Sequence, residues 1–167
     1  IDLDHQGSLT SLCLSKERIH DLRRSNRLID YAYASGEADL EAFRKSIERV
    51  CDRVELHLVG AGEALQDAET QSMARWLINK GNVTDARFRL RELIDAPPIR
   101  DEFDWVLMDC PPRLTTSCIN ALACSDYVLI PVKLDETSLE AIPRMLRWLQ
   151  TLRDASLCPQ LRLMGVI

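Results

Sequence analysis

The first groups in this sequence with chemistry to do are carboxylates at the ends of apolar segments. Asp2 and Asp4 stand two residues apart at the head of Ile1-Asp2-Leu3-Asp4-His5-Gln6-Gly7-Ser8-Leu9-Thr10, and strand spacing puts both on the same side of the chain. Like charges so placed are costly unless a cation or an ordered water lies nearby. A third acid, Asp109, closes the apolar run Trp105-Val106-Leu107-Met108 and is followed by Cys110-Pro111-Pro112. In a doubly wound sheet the ligand sits beyond the carboxyl ends of the strands. An acid at that place suits Mg²⁺, held directly or through water beside nucleotide phosphates. Taken singly, each aspartate is equally suited to cap a helix or close a turn at a strand–helix junction. Taken together, on alternating strands of one sheet, they favour a nucleotide site.

Other reactive side chains carry less. Six cysteines stand at positions 13, 51, 110, 118, 124 and 158. None forms a Cys-x-x-Cys pair and none has a histidine at zinc-finger spacing, so small core residues in a reducing compartment are expected rather than a metal site. His57 sits among apolar neighbours in a strand pattern and is expected to be structural. Trp76, Trp105 and Trp148 are scattered, which favours packing roles. Arg23, Arg24 and Arg27 on one helical segment, and Arg144, Arg147 and Arg153 on another, are expected to be solvated faces rather than a nucleic-acid patch, because acids are interleaved with them.

Strands and helices that alternate would position these residues. Residues 1–4 read as the end of a strand and 16–34 as helical. Leu40, Phe43, Ile47 and Val50 fall at helical spacing and predict an amphipathic helix. Residues 54–59 alternate as a strand and run into Gly60-Ala61-Gly62. Helices are predicted over 67–80, ended by Gly81, and over 84–95, stopped by Pro97-Pro98. The continuous apolar run 105–108 predicts a strand covered on both faces. A helix over 115–124, a strand over 127–132, a helix over 138–153 with Pro143 in its first turns, and a strand from Leu161 complete the pattern. The fold class is therefore α/β, a mostly parallel sheet flanked by helices, in one domain spanning 1–167.

The 167 residues carry 21 Lys+Arg against 26 Asp+Glu, a net charge of −5, with 46% hydrophobic residues. That is globular composition, and it exerts no global pull toward nucleic acid. No apolar stretch approaches the roughly 20 residues of a membrane span, and the acidic start lacks the basic region of a signal peptide. The chain begins with Ile and ends inside the apolar run Gly165-Val166-Ile167, so the sequence is expected to be the interior of a longer protein, truncated at both ends.

Three separated motifs resemble one family. Asp2-Leu3-Asp4-His5-Gln6-Gly7-Ser8 is similar to the D-x-D-P-Q-G-[NS] signature of ParA/Soj-type ATPases, the deviant Walker A (MinD/ParA) group of P-loop NTPases. Phe103-Asp104-Trp105-Val106-Leu107-Met108-Asp109-Cys110-Pro111-Pro112 resembles that family's Walker B stretch. Asn120-Ala121-Leu122, then Asp126-Tyr127-Val128-Leu129-Ile130-Pro131-Val132, resembles its N-A-L and D-x-[VL]-[IL]-[IV]-P-V continuation. Ser138-Leu139-Glu140-Ala141 and Leu163-Met164-Gly165-Val166-Ile167 also fit. The likeness is strong over 1–10 and 103–167, looser over 54–95, and mainly one of length over 11–53. His5 stands where the family usually has Pro.

The resemblance implies a three-layer P-loop NTPase fold, ATP and Mg²⁺ as cofactors, and ATP hydrolysis serving plasmid or chromosome partition. It implies that Asp4 positions the attacking water, that Asp2 and Asp109 serve the Mg²⁺ shell directly or through water, and that Gln6 joins Asp2 and Asp109 in binding the nucleotide. It further implies an ATP-dependent homodimer, a ParB-like stimulating partner, nonspecific DNA binding in the ATP state, and a cytoplasmic, nucleoid-associated location. It places the glycine-rich phosphate loop, with its backbone N–H cradle and lysines, upstream of Ile1. The 167 residues alone are accordingly expected to bind ATP weakly and to lack measurable hydrolysis. Two alternatives share the fold: a MinD-like positioning ATPase, and a nucleotide-free interaction module.

Overall fold

A computed structural model describes residues 1–34, 37–51, 53–79, 85–133 and 136–167, without side-chain detail for 136–141. The contacts gather into two compact units, Ile1–Ala121 and Leu122–Ile167.

In the first unit, two short antiparallel strands, β1 (Ile47–Cys51) and β2 (Leu56–Val59), pair Ile47 with Val59 and Arg49 with His57, with an irregularity between Arg49 and Cys51. The Asp2 N–H donates to Val59 O at 3.0 Å, which lays residues 1–3 beside the end of β2. On their other side Asp2 bridges Asp109 in parallel, through Leu3 N–H to Asp109 O (2.8 Å) and Asp109 N–H to Ile1 O (2.9 Å). The predicted strand over 105–108 is not formed beyond this isolated bridge, and Trp105 and Leu107 are each 78% exposed. The expected covering on both faces is not found for these described residues.

Short helices pack around this frame. α1 (Ser8–Cys13) follows Gly7. α2 (Lys16–Arg24) is capped by Ser15, whose Oγ accepts from Arg18 N, with Glu17 in its first turn and Arg23 and Arg24 in its last, as the helix dipole favours. α3 (Ile29–Ala34) is separate from α2, so the predicted segment 16–34 is two helices with a turn between. α4 (Leu40–Lys45), capped by Asp39, stops at Ser46, and Ile47 and Val50 belong to β1 rather than to the expected helix. α5 (Leu65–Ile78) packs on α3; the Gly81 expected to end it lies outside the described residues. α6 (Arg89–Ile94) is shorter than expected. Pro97 and Pro98 do not merely stop it; they occupy the first positions of α7 (Pro97–Arg100), where a missing N–H costs nothing. α8 (Thr116–Cys124) follows the Asp109 turn as expected. The core of this unit includes Leu3, Leu22, Ile29, Tyr33, Leu65 and Leu90, all at most 1% exposed.

In the second unit β3 (Tyr127–Ile130) pairs in parallel with β4 (Arg162–Val166), the two joined through α9 (Glu136–Asp154), which contains Pro143. Leu152, Cys158 and Leu161 form its core, with Leu122, Val128, Leu149 and Leu157 packed against them. Strand, helix and parallel strand follow here as the sequence predicts.

No described helix is long and apolar enough to cross a membrane. Cys158 is buried, whereas Cys13 is exposed rather than a core residue. His57 packs edge-on against Phe103, with ring centroids 5.4 Å apart.

Candidate functional site

The loop from Asp2 to Thr10 is built around one buried carboxylate. Asp2 is fully buried; its Oδ1 accepts from Asp4 N at 3.1 Å, and its Oδ2 accepts from Thr10 N at 2.9 Å and Thr10 Oγ1 at 2.7 Å. The Thr10 hydroxyl in turn accepts from Ala61 N at 2.8 Å. One hydroxyl therefore serves as donor and acceptor at once and ties the chain after β2 to the loop. Two glycines make this approach possible. Gly7 adopts φ +60°, the left-handed conformation that closes the turn through its N–H to Asp4 O (2.9 Å). Gly60 passes so close to Thr10 that a Cβ there would lie 2.9 Å from Thr10 Cγ2.

Asp4 is partly exposed. Its Oδ1 accepts from Gln6 N at 3.0 Å and lies 3.2 Å from His5 Nδ1; among the described residues no hydrogen bond engages its Oδ2. Gln6 is exposed, with its Nε2 at 2.7 Å from His5 Nε2. Arg113, from the turn after Asp109, places Nη2 at 3.0 Å from His5 Nδ1.

The bridge to Asp2 brings Asp109 to the same end of the frame. Its carboxyl is raised above the ordinary carboxylate range, first by desolvation and then by the like charges of Asp2 and Asp4. Asp2, Asp4 and Asp109, distant in sequence, thus share one field. Among the described residues no three metal-ligating side chains converge closely enough to hold an ion by themselves. This arrangement fits Mg²⁺, which takes one or two carboxylates, keeps waters and shares phosphate oxygens. It does not fit a closed all-protein metal cage.

Behind the acids the turn is anchored from below. The buried Glu69 carboxylate of α5 accepts from Ser117 N at the start of α8 (2.5 Å). Fully buried Asn120 accepts from Leu90 N at 2.9 Å and donates to Ala86 O at 2.7 Å and Thr116 O at 2.9 Å. Asn120, quoted in the N-A-L motif, therefore fastens α8 to the start of α6. The roles of Thr10, Glu69 and Arg113 have no local signal in the sequence, because each acts across a long separation.

A family model described as an AAA domain matches residues 1–163. The chain belongs to this family. Among curated relatives, this AAA domain is 32% identical over 112 residues to the chromosome partitioning protein ParA of Myxococcus xanthus, covering 67% of this chain and 36% of that one. It is 40% identical over 82 residues to the chromosome-partitioning ATPase Soj of Thermus thermophilus, covering 46% and 32%. It is 37% identical over all 167 residues to an uncharacterized protein of Pseudomonas putida, 56% of whose length is covered. The chain thus spans between about a third and just over half of these relatives. Among solved structures, cobyrinic acid a,c-diamide synthase from Mycobacterium smegmatis with bound ATP analog and magnesium aligns over 99% of this chain and 59% of its own, with TM-score 0.74 and 22% identity. A plasmid partition protein from Borrelia burgdorferi aligns over 99% and 62%, with TM-score 0.63 and 22% identity. These likenesses show a shared fold. The resemblance to ParA/Soj-type P-loop ATPases and the α/β fold class read from the alternating strand and helix patterns are borne out.

Proposed function

We propose that this AAA domain is the part of a ParA/Soj-type ATPase that carries the water-positioning and Mg²⁺-facing acids, and that the whole protein hydrolyses ATP in plasmid or chromosome partition. The observation that carries this reading is the convergence of Asp2, Asp4 and Asp109 at one end of the frame, with the Asp109 carboxyl raised first by desolvation and then by its like-charged neighbours. Such crowding is relieved by a bound hard cation.

Each acid takes a role that suits its surroundings. Asp109 is exposed, and among the described residues no hydrogen bond engages its carboxylate, so it serves the Mg²⁺ shell directly or through water. Asp2 has both oxygens engaged by the loop; it serves that shell by fixing the loop that carries Asp4 and Gln6. Asp4, with Oδ1 held by Gln6 N, uses Oδ2 to accept a proton of the attacking water and so orients it. Gln6, exposed on the same loop, contributes to nucleotide binding. Bound Mg²⁺ with ATP supplies charge neutralisation and the transferable phosphoryl group. An ATP-dependent homodimer, a ParB-like stimulating partner, nonspecific DNA and a cytoplasmic, nucleoid-associated location complete the proposal, as the motif resemblance implies; the names of the partition relatives support the partition role.

The test is ATP affinity of the complete gene product with and without magnesium, for the parent and Asp109→Ala. The parent is expected to bind ATP more tightly with magnesium, and Asp109→Ala to lose most of that dependence. An affinity and magnesium response untouched by the substitution overturns the assignment.

A further inference from the structure

We propose that His5 is a two-state positioning residue for Asp4, and that a phosphoryl anion taken up by Arg113 selects between the states. The observation is a conflict at one atom. His5 Nδ1 lies 3.2 Å from Asp4 Oδ1 and 3.0 Å from Arg113 Nη2. A carboxylate oxygen only accepts and a guanidinium only donates, whereas a ring nitrogen carries either a proton or a lone pair. Nδ1 therefore satisfies one of these neighbours at a time. The charged groups facing the ring are Asp4, from its own loop, and Arg113, from the turn after Asp109; the third neighbour is the Gln6 amide, 2.7 Å from Nε2.

With a lone pair on Nδ1, Arg113 donates to the ring, the proton sits on Nε2, and the Gln6 amide turns its oxygen toward it, a rotation that needs no other change. With the proton on Nδ1, the ring donates to Asp4 Oδ1, and Nε2 accepts from Gln6 Nε2. The two states differ only in which ring nitrogen holds the proton, exchanged through solvent, so the ring's charge is the same in both. They differ in what they do to Asp4. In the second state Oδ1 is held by both Gln6 N–H and His5, the carboxylate is fixed, and Oδ2 remains available. In the first, a ring lone pair faces Oδ1, and Gln6 N–H alone holds it.

Arginine's planar fork pairs with phosphoryl oxygens. An anion that engages Arg113 withdraws it from Nδ1 and shifts the population toward the state that clamps Asp4, by no more than its differential affinity for the two. His5, standing where related sequences usually carry Pro, thereby couples the turn after Asp109 to Asp4. The identity of the anion as a nucleotide phosphoryl group rests on the function proposed above; the imidazole switch does not, and its test uses no nucleotide.

The experiment is ¹⁵N NMR of histidine side chains in the chain near neutral pH, with inorganic phosphate as the probe. The chain has three histidines, so His20 and His57 serve as internal references for an intact fold. In the parent, His5 Nδ1 is expected to give the signal of a hydrogen-bond acceptor and to move toward that of a proton-bearing nitrogen as phosphate is added. In R113Q the proton-bearing signal is expected without phosphate, and phosphate should then move nothing. R113K, which keeps charge and a donor at shorter reach, should fall between. The proposal is overturned if His5 shows the same tautomer in the parent and in both variants. It is equally overturned if saturating phosphate leaves the parent unchanged or shifts R113Q as it shifts the parent.

Discussion

Asp2 and Asp109 are bridge partners on two parallel segments, joined by Leu3 N–H to Asp109 O and Asp109 N–H to Ile1 O. Their backbone pairing puts one fully buried carboxylate beside an exposed one, with Asp4 close by. The cost falls on Asp109, whose carboxyl is held above its ordinary range by desolvation and by both acids. A carboxyl raised in the folded chain contributes stability that is full below its unfolded value and is lost as pH rises through the folded one. Asp109→Asn, which does not titrate, is therefore expected to melt higher than the parent at neutral pH. The advantage should shrink as pH falls toward about 4, the ordinary aspartate range. Thermal unfolding of both proteins at neutral and acid pH checks this; no gain at neutral pH contradicts it.

Thr10 joins Asp2 to Ala61 with a single hydroxyl. Thr10→Val keeps the shape, removes a hydrogen bond to a buried carboxylate and leaves the Ala61 N–H unmatched. The expected loss is about 1.5–3 kcal/mol, the range for hydrogen bonds to charged groups. Urea unfolding measures it; a loss below about 0.5 kcal/mol, the scale of an ordinary surface substitution, would show that the network does not hold the loop.

Two glycines should respond with opposite signs. A Cβ at Gly60 would meet Thr10 at 2.9 and 3.1 Å, whereas one at Gly165 meets only Leu129 Cδ1 at 3.9 Å. Gly60→Ala is expected to destabilise by about 1–3 kcal/mol through forced displacement of Thr10. Gly165→Ala, in β4, is expected to be neutral or to stabilise by up to about 1 kcal/mol, since it restricts the unfolded chain. Equal effects in denaturant titrations would contradict the close approach at Gly60.

The acids, the parallel pair of β3 and β4, and helices α8 and α9 were legible in the sequence because apolar runs with acids at their ends are local signals. The segment 40–50 was not. Leu40 and Phe43 lie on a helix, but Ser46 ends it with its Oγ donating to Phe43 O at 2.6 Å, and Ile47 and Val50 enter β1. Their helical spacing is coincidental, and only pairing with β2 decides the strand. Burial of 105–108 was misread for a similar reason: an apolar run states what can be covered, not what covers it, and Trp105 and Leu107 are exposed. At the site, Asp2, Asp4, Gln6 and Asp109 could be named from their motifs. That Asp2 is saturated by Thr10 and Asp4 N–H groups, and that Arg113 reaches His5, depends on contacts no spacing encodes.

The central claim is that Asp4 serves chemistry while Asp2 builds the loop that chemistry needs. The direct measurement is ATP affinity and single-turnover hydrolysis of the complete gene product for the parent, Asp4→Ala and Asp2→Ala. Asp4→Ala is expected to bind ATP as the parent does and to hydrolyse it on the order of 10²–10⁴ more slowly, the range for a group that handles a proton in the transition state. Asp2→Ala is expected to lose affinity and turnover together, because its removal frees Thr10 and Asp4 N–H groups and unfastens the loop. Parent-rate hydrolysis by Asp4→Ala, with Asp2→Ala alone inactive, would show that the two acids hold the opposite roles.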